Sequence, residues 1–282
     1  MSANRNQAVD FLKVFVITSV VFLHIPATYD WMSWYAQIIG RLGVPICFTI
    51  SGYFLYAGMQ RSGLSYWKKY LRNIGRILLV WLLIYAPILI HGWNDALHAI
   101  RELICRTPAY LWFMTALLVG GWTFVLYTWN NYLYLLVAIA LYILGCSGGT
   151  YIDFLGLQDF WKPYLDLFIT TRNGLFLTPI FLALGALIYQ LQHELRFQFQ
   201  SKKLLMTIAV TACLYLSEVI LCITTIASSS GDRTFYITMP LFIFIMVFVV
   251  MKSNLHTTLD TRICRDFSTF TQTSQVKIPC TP

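Results

Sequence analysis

The sequence predicts an all-α fold, a polytopic bundle of transmembrane helices. Of the 282 residues, 58% are hydrophobic and 11% are charged, and the mean hydropathy is +0.65. These values lie outside the range of soluble proteins. Apolar runs also recur along the chain without the alternation of strands, and most reach the length of about 20 residues that a helix needs to cross a bilayer.

The apolar runs predict about eight spans, at 8–28, 36–58, 73–92, 109–129, 131–147, 174–192, 203–227 and 234–252. The first run carries charges and leads directly into the others, so we expect it to remain as a helix rather than to be cleaved as a signal peptide. Residues 253–282 are polar and rich in Thr and Ser, which predicts a disordered or loosely attached tail. The chain therefore divides into a transmembrane domain, 1–252, and a polar tail, 253–282.

The net charge of +8 comes from basic residues that cluster in short segments between the apolar runs. The positive-inside rule explains such segments without nucleic-acid binding. With eight spans, the basic segments after spans two, six and eight fall on the side of the N-terminus, so both termini are predicted to be cytoplasmic. The seven cysteines are scattered without a Cys-x-x-Cys pair, so we expect neither a metal site nor a disulfide framework.

The first span carries three ionisable residues, Asp10, Lys13 and His24. Lys13 and His24 are eleven residues apart, which in an α-helix means a difference of about 20° around the axis and about 16 Å along it. Charges at membrane depth are costly and usually face a polar interior or a pathway. The alternative is that Asp10 and Lys13 snorkel at one helix end while His24 marks the opposite interface.

Two further spans carry polar candidates. Arg41 lies just inside the outer half of the second span and needs a partner or an anionic ligand. Ser51 and Gly52 form a small-residue patch, which is either a packing notch or part of a site. Glu218 lies in the middle of the seventh span, where a carboxylate is either functional or pairs helices.

Candidate binding residues also lie near the membrane surfaces. Arg72 and Arg76 belong to a basic, aromatic stretch that either anchors the protein or forms a mouth for an anionic cosubstrate. Trp112 opens the fourth span as a belt residue or a site residue, and Arg172 lies at the outer mouth of the sixth. The longest outer loop, 148–173, contains residues that could line a sugar site: Trp161, Tyr164 and Asp166.

Several of these motifs resemble those of the membrane acyltransferase 3 family, which includes bacterial surface-polysaccharide O-acetyltransferases. The motifs are Asp-x-x-Lys-x10-His at 10–24, Arg-x3-Pro-x5-Ser-Gly-Tyr-Phe-Leu at 41–55, Leu-Trp-Phe at 111–113 and the segment 171–185. The family more often has Arg where this chain has Lys13. It usually has about ten spanning helices of about 20 residues each, so this chain is expected to be a short member or a truncated or frame-shifted product.

The resemblance implies a bacterial inner-membrane O-acyltransferase. It would move an acyl group, most often acetyl, from cytosolic acyl-CoA to a hydroxyl of a surface polysaccharide or its lipid-linked precursor. His24 suits the role of base because an imidazole titrates near neutral pH, with Glu218 as its partner or as the next candidate. The donor and acceptor would be bound by Asp10, Lys13, Arg41, Ser51, Arg72, Arg76, Trp112 and Arg172.

Acyl-CoA would be a cosubstrate, with no permanently bound cofactor, and the partners would be the bilayer, acyl-CoA and a glycan. Two other functional hypotheses compete with that of an acyltransferase. A transporter also places charges on internal helix faces, but no matching pair of broken apolar segments is visible in the sequence. An inactive remnant that lacks the last two helices is the other alternative.

Overall fold

The computed structural model describes residues 7–23, 30–90, 111–168, 170–194, 201–225 and 235–252. Over these ranges the chain is helical and contains no strand, which confirms the all-α prediction. Short 3-10 turns lie at Gly40–Leu42 and Phe124–Thr128, and a π-helix at Gln190–Glu194 extends α9. The α-helices are α1 Gln7–Leu23, α2 Asp30–Ile38, α3 Gly43–Ser62, α4 Leu64–Ile90, α5 Trp112–Thr123, α6 Asn131–Gly148, α7 Ile152–Leu155, α8 Gln158–Phe168, α9 Thr178–Tyr189, α10 Ser201–Thr225 and α11 Met239–Lys252.

Three helical stretches of the described chain are long and apolar enough to cross a membrane: Trp34–Ser62, Asn131–Gly148 and Lys203–Thr225. Trp112–Thr128 and Met239–Lys252 are apolar but shorter. The predicted number of about eight spans is therefore not confirmed, although each of the eight predicted runs contains a helix.

The centre of the bundle is the close pair α3 and α9. A Cβ atom added at Gly52 would collide with the backbone of Leu182, and one added at Gly185 would collide with the carbonyl oxygen of Thr49. The two backbones therefore touch, which is the packing that small residues permit between membrane helices. This contact supports the interpretation of Gly52 as a packing notch.

Neighbouring helices alternate in direction along the chain. Lys13 lies at Phe54 while Val20 lies at Gly43, so α1 runs antiparallel to α3. The Tyr70 ring lies against Gly121, and the Trp67 indole donates to the Gly121 carbonyl oxygen over 2.7 Å. Further contacts agree with this up-and-down arrangement: Arg172, before α9, lies over Trp112 at the start of α5, and Gln192, after α9, donates to the Phe248 carbonyl oxygen near the end of α11.

The alternation gives the bundle two distinct ends. One end carries Arg61, Lys68, Lys203 and Lys252 at the termini of four different helices, and we call it the basic end. The other carries Arg41 and the connection 149–177, and we call it the loop end. The described parts of the basic segments that the sequence predicts on one side of the membrane thus lie at one end of the bundle.

Candidate functional site

One stripe of α3 separates α1 from α4. Cys47, Ser51 and Phe54 are spaced four and three residues apart, so they line one face of the helix, and all three are half-buried. The ammonium of Lys13 on α1 lies 5.5 Å from the centre of the Phe54 ring, within the range of a cation–π contact. Asp10, one turn before Lys13, is buried with 7% of its surface exposed. The structure therefore places Asp10 inside the bundle and Lys13 on the α3 stripe.

The opposite side of the α3 stripe is formed by Tyr70 of α4. Its hydroxyl is buried beside Ser51 without reaching hydrogen-bond geometry. Ser51 therefore lies on the stripe between a cation from one neighbouring helix and a phenol from the other. The sequence analysis missed Tyr70. The signal was its spacing of four residues from Tyr66, which puts two aromatic rings on one helix face.

A basic face runs along the first half of α4. Lys68, Lys69, Arg72 and Arg76 are all exposed and lie within two turns of one another on one side of the helix. Together with Ser65 and Asn73, they line an open cavity of about 360 Å³. The predicted pair Arg72 and Arg76 is thus brought into one cavity, where like charges in close array attract anions. We call this surface the α4 basic face.

At the loop end, the structure brings together two predicted site residues, Trp112 and Arg172. The Arg172 guanidinium lies 4.8 Å from the centre of the Trp112 ring, a stacked cation–π geometry. The turn that carries Arg172 is fixed by side chains on both sides of it. The Arg172 amide donates to Thr170 Oγ1 over 3.0 Å, and Asn173 Oδ1 accepts from the Leu175 amide over 2.9 Å.

The predicted sugar site in the loop 148–173 is wrong for Trp161. This side chain is only 4% exposed, and its indole packs against Gly148 and Phe176. The Tyr164 hydroxyl is likewise occupied, since it accepts from Asn173 Nδ2 over 2.7 Å. An indole buried in this way cannot stack on a sugar, because α8 turns its aromatic side toward the bundle.

Arg41 lies outside α3, in the 3-10 turn Gly40–Leu42 that joins α2 to α3. It is half-buried and within electrostatic range of Tyr215 on α10. The Tyr215 hydroxyl donates to the Ile38 carbonyl oxygen over 2.7 Å, so α10 is tied to the end of α2. This turn belongs to the helical stretch Trp34–Ser62, so Arg41 lies inside the second predicted span, toward its loop end.

Glu218 caps the N-terminus of α11. Its Oε1 accepts from the Ile237 amide over 2.6 Å, and its Oε2 accepts from the Thr238 amide over 2.9 Å. The hydroxyls of Thr238 and Tyr151 also donate to it. Burial and the adjacent Glu218 carboxylate raise the pKa of Tyr151, which keeps this donor protonated. A carboxylate at a helix N-terminus also interacts favourably with the helix dipole.

These contacts favour the helix-pairing interpretation of Glu218 over a catalytic one. All four donors come from the start of α11 or from the connection after α6, so the carboxylate joins three parts of the bundle. The predicted catalytic role of Glu218 stays a prediction.

We expect Glu218→Ala to lower the thermal stability of the protein, because it leaves two backbone amides and two hydroxyls without their acceptor. Leaving a buried donor unsatisfied costs about 1–3 kcal/mol. Glu218→Gln, which retains one carbonyl acceptor, should lose less. Thermal unfolding in detergent measures both, with Ser217→Ala as the control, because among the described residues the Ser217 hydroxyl donates to the Leu214 carbonyl oxygen of its own helix. Wild-type stability in Glu218→Ala would contradict the capping role.

His24 lies outside the described residues, directly after the last described residue of α1. The tail 253–282 also lies outside them. The spacing of Lys13 and His24 on one helix face therefore stays a prediction. The described end of α1 packs at the loop end, where Val20 faces Gly43.

The sequence analysis also missed a polar cluster at the basic end, where the π-helix follows α9. Gln190 bridges two helices, since its Nε2 donates to the Tyr56 hydroxyl over 2.9 Å and its Oε1 accepts from the Tyr127 hydroxyl over 2.8 Å. Tyr53 and His193 share a hydrogen bond of 2.9 Å. Segments of π-helix often occur at functional sites. The available signal was the run of Gln and His side chains at 190–193, directly after an apolar helix.

The all-helical fold, with helices of membrane-spanning length, defines an α-helical membrane protein. A family model described as an acyltransferase domain matches residues 6–270. The chain therefore belongs to the acyltransferase 3 family, as its motifs predicted.

Curated relatives carry two kinds of names. An amino-acid racemase of Enterococcus faecalis is 28% identical in an alignment of 219 positions that covers 68% of this chain and 30% of that protein. A serine/alanine racemase of Enterococcus gallinarum is 26% identical in an alignment of 204 positions that covers 65% of this chain and 29% of that protein. The succinoglycan biosynthesis protein ExoH of Rhizobium meliloti is 29% identical in an alignment of 99 positions that covers 29% of this chain and 26% of that protein.

The chain thus spans about 30% of the length of the curated relatives it matches. No solved structure matches it significantly.

Proposed function

We propose that this protein is a membrane O-acyltransferase that moves an acyl group, foremost acetyl, from acyl-CoA to a hydroxyl of a surface polysaccharide or its lipid-linked precursor. The observation that carries the proposal is the acyltransferase-domain match over residues 6–270. The similarity to ExoH supports a polysaccharide acceptor. The racemase names describe whole proteins of which the matched region is about 30%, and nothing in the part of the chain that the structure describes favours racemisation.

The two ends of the bundle supply what acyl transfer requires. The α4 basic face offers clustered cations for the phosphates of coenzyme A. Lys13 on the α3 stripe supplies positive charge inside the bundle, where it attracts the phosphates of the acyl donor. At the loop end, Arg172 and Trp112 form a cation–aromatic pair suited to a polar acceptor.

In the proposed reaction, His24 takes the proton of the acceptor hydroxyl as its oxygen bonds to the carbonyl carbon of the thioester. The C–S bond then breaks, and the coenzyme A thiolate leaves and takes up a proton. The acyl group ends as an ester on the glycan. A positioned base of this kind typically contributes about 10²–10⁴-fold in rate.

The proposal includes an orientation in the bacterial inner membrane. The basic end lies in the cytoplasm with both termini, and the loop end faces outward, following the positive-inside rule. A reporter fused after Lys252 should therefore report the cytoplasm, and one inserted in the loop 148–173 should report the outside. An outside signal after Lys252 would mean an odd number of spans and would reverse this orientation.

Transfer of the radiolabelled acetyl group from acetyl-CoA to isolated glycan tests the proposed activity. Membranes that contain the protein should label the glycan in an alkali-labile ester, and membranes without it should not. Failure to label any glycan by the well-inserted protein would contradict the proposal. Movement of substrate across sealed vesicles without labelling would indicate the transporter alternative instead.

We expect Lys13→Ala to raise the KM for acyl-CoA, because it removes the cation on the α3 stripe, and we expect Lys13→Arg to be tolerated because it retains the charge. Initial rates at varied acyl-CoA concentration measure this. Lys203→Ala serves as the control, since Lys203 is an exposed cation of the basic end on α10, away from the α3 stripe. Unchanged kinetics in a well-inserted Lys13→Ala protein would exclude Lys13 from the donor site.

A further inference from the structure

The helix α8, at the loop end, has three distinct sides. An α-helix advances about 100° per residue, which sorts its side chains into three arcs. The buried or half-buried arc that packs on the bundle contains Trp161, Tyr164, Leu165 and Phe168. The polar arc contains Gln158, Asp159, Lys162 and Asp166. Between them lies an exposed apolar arc of Phe160, Pro163 and Leu167.

The position of α8 on the bundle is fixed. Trp161 packs edge-on against Phe176, with ring centres 6.0 Å apart, and its indole donates to Ser147 Oγ over 3.3 Å. Tyr164 bonds to Asn173 over 2.7 Å. These contacts fix the orientation of α8 about its own axis, and the apolar arc therefore points away from the bundle.

The apolar arc belongs to a larger exposed surface. Phe160 is 68% exposed and Leu167 46%. The preceding short helix α7 adds Phe154, at 76%, and Leu155, at 48%. Exposing two such phenylalanines to water is unfavourable in free energy. An exposed apolar surface of this kind marks a contact with a membrane or with another protein.

The exposed side of α6 indicates what covers this surface. α6 is one of the described helices long and apolar enough to cross a membrane, and only 33% of it is buried in the bundle. Ile143 and Leu144, near its C-terminus at the loop end, are 53% and 42% exposed. Only residues 149–151 join α6 to α7, and Trp161 of α8 packs on Gly148 at the end of α6. The apolar surface of α7 and α8 therefore lies beside the loop end of a helix that has membrane-spanning length and an exposed apolar side.

We propose that α7 and α8 lie in the bilayer–water interface at the loop end and insert Phe154, Phe160 and Leu167 among the lipid acyl chains of that leaflet. A helix with an apolar arc, a charged arc and low net hydrophobicity is the type that lies in the plane of the interface. Lys162 and Asp166 then point to the headgroups and water. The inference concerns how the protein sits in the membrane and does not depend on the proposed acyl transfer.

Spin labels on single cysteines test the proposal in the full-length protein reconstituted in phospholipid vesicles. Phe160→Cys and Leu167→Cys probe the apolar arc, and Lys162→Cys and Asp166→Cys are matched controls on the polar arc of the same helix. The seven native cysteines, which include the exposed Cys213, are first replaced by Ser or Ala, so that each variant carries a single cysteine. Labels at 160 and 167 should be relaxed by oxygen, which concentrates in lipid, more strongly than by a water-soluble nickel complex. Labels at 162 and 166 should show the reverse order.

Two outcomes would overturn the proposal. Strong relaxation by nickel at both 160 and 167 would place the apolar arc in water. Weak relaxation by both agents would mean that protein, not lipid, covers the arc. Spin–spin broadening that falls on dilution with unlabelled protein would identify the cover as a second copy, and unchanged spectra would identify it as another segment of this chain. All four labelled variants change exposed residues, and their thermal stability is compared with that of the wild type, so a folding defect is detected separately.

Discussion

His24→Ala is expected to abolish most acyl transfer while leaving membrane insertion and abundance nearly unchanged. The expected loss is about 10²–10⁴-fold, the usual contribution of a general base. Alanine is well accepted in a helix, so the change removes the imidazole without disturbing the backbone. Initial rates of acetyl transfer, normalised to the amount of inserted protein, measure the effect.

His24→Gln distinguishes a base from a structural hydrogen-bonding residue. Glutamine retains hydrogen-bonding groups but cannot carry the proton, so this variant should be nearly as inactive as His24→Ala. Restored activity in His24→Gln would show that His24 acts by hydrogen bonding and that the base lies elsewhere. Glu218 is the next candidate from the sequence, but its capping contacts would have to break before its carboxylate could serve as a base.

A wild-type chain that is inactive from the outset calls for a preliminary experiment. Because the family usually has about ten spanning helices of about 20 residues each, two spans are then added after residue 252 before any variant of His24 is interpreted. Activity gained by this addition would support the truncated-product alternative.

Hydropathy predicts where the long apolar helices lie, because each apolar run must satisfy its own backbone in a membrane; it does not predict α7 and α8 in the loop 148–173. The predicted run 131–147 matches α6, Asn131–Gly148, and 203–227 contains most of α10, Ser201–Thr225. The role of Glu218 was out of reach because its donors come from Tyr151 and from residues 237 and 238. Those parts of the chain meet only in the folded bundle.

The loop 148–173 shows why aromatic residues are difficult to interpret from sequence. Its polar residues are those expected of a solvated connection, so Trp161 looked available for a sugar. Helical spacing instead collects Trp161, Tyr164 and Phe168 on one side, and the glycine at 148 leaves room for the indole. By contrast, Trp112 and Arg172 were each predicted as site residues, but their pairing was not predicted and is shown by the structure.

The second large effect is expected from Gly185→Ala, which should strongly destabilise the bundle. A methyl group at this position collides with the carbonyl oxygen of Thr49 and with the backbone of residues 52 and 53 on α3. Overpacking a core typically costs about 1–3 kcal/mol and occasionally more, and here backbone atoms, which cannot rotate away, must move. We expect a large fall in the midpoint of thermal unfolding in detergent, together with a lower yield of monodisperse protein.

Gly75→Ala is the matched control, because a Cβ atom at Gly75 of α4 meets nothing within 4 Å. Alanine is more favourable than glycine inside a helix by about 1 kcal/mol, so this variant should be as stable as the wild type or more stable. Gly52→Ala, on the opposite side of the same contact, should resemble Gly185→Ala because it collides with the backbone of Leu182. If Gly185→Ala and Gly75→Ala unfolded at the same temperature, α3 and α9 would not be in backbone contact. The packing of α3 against α9 described above would then be wrong.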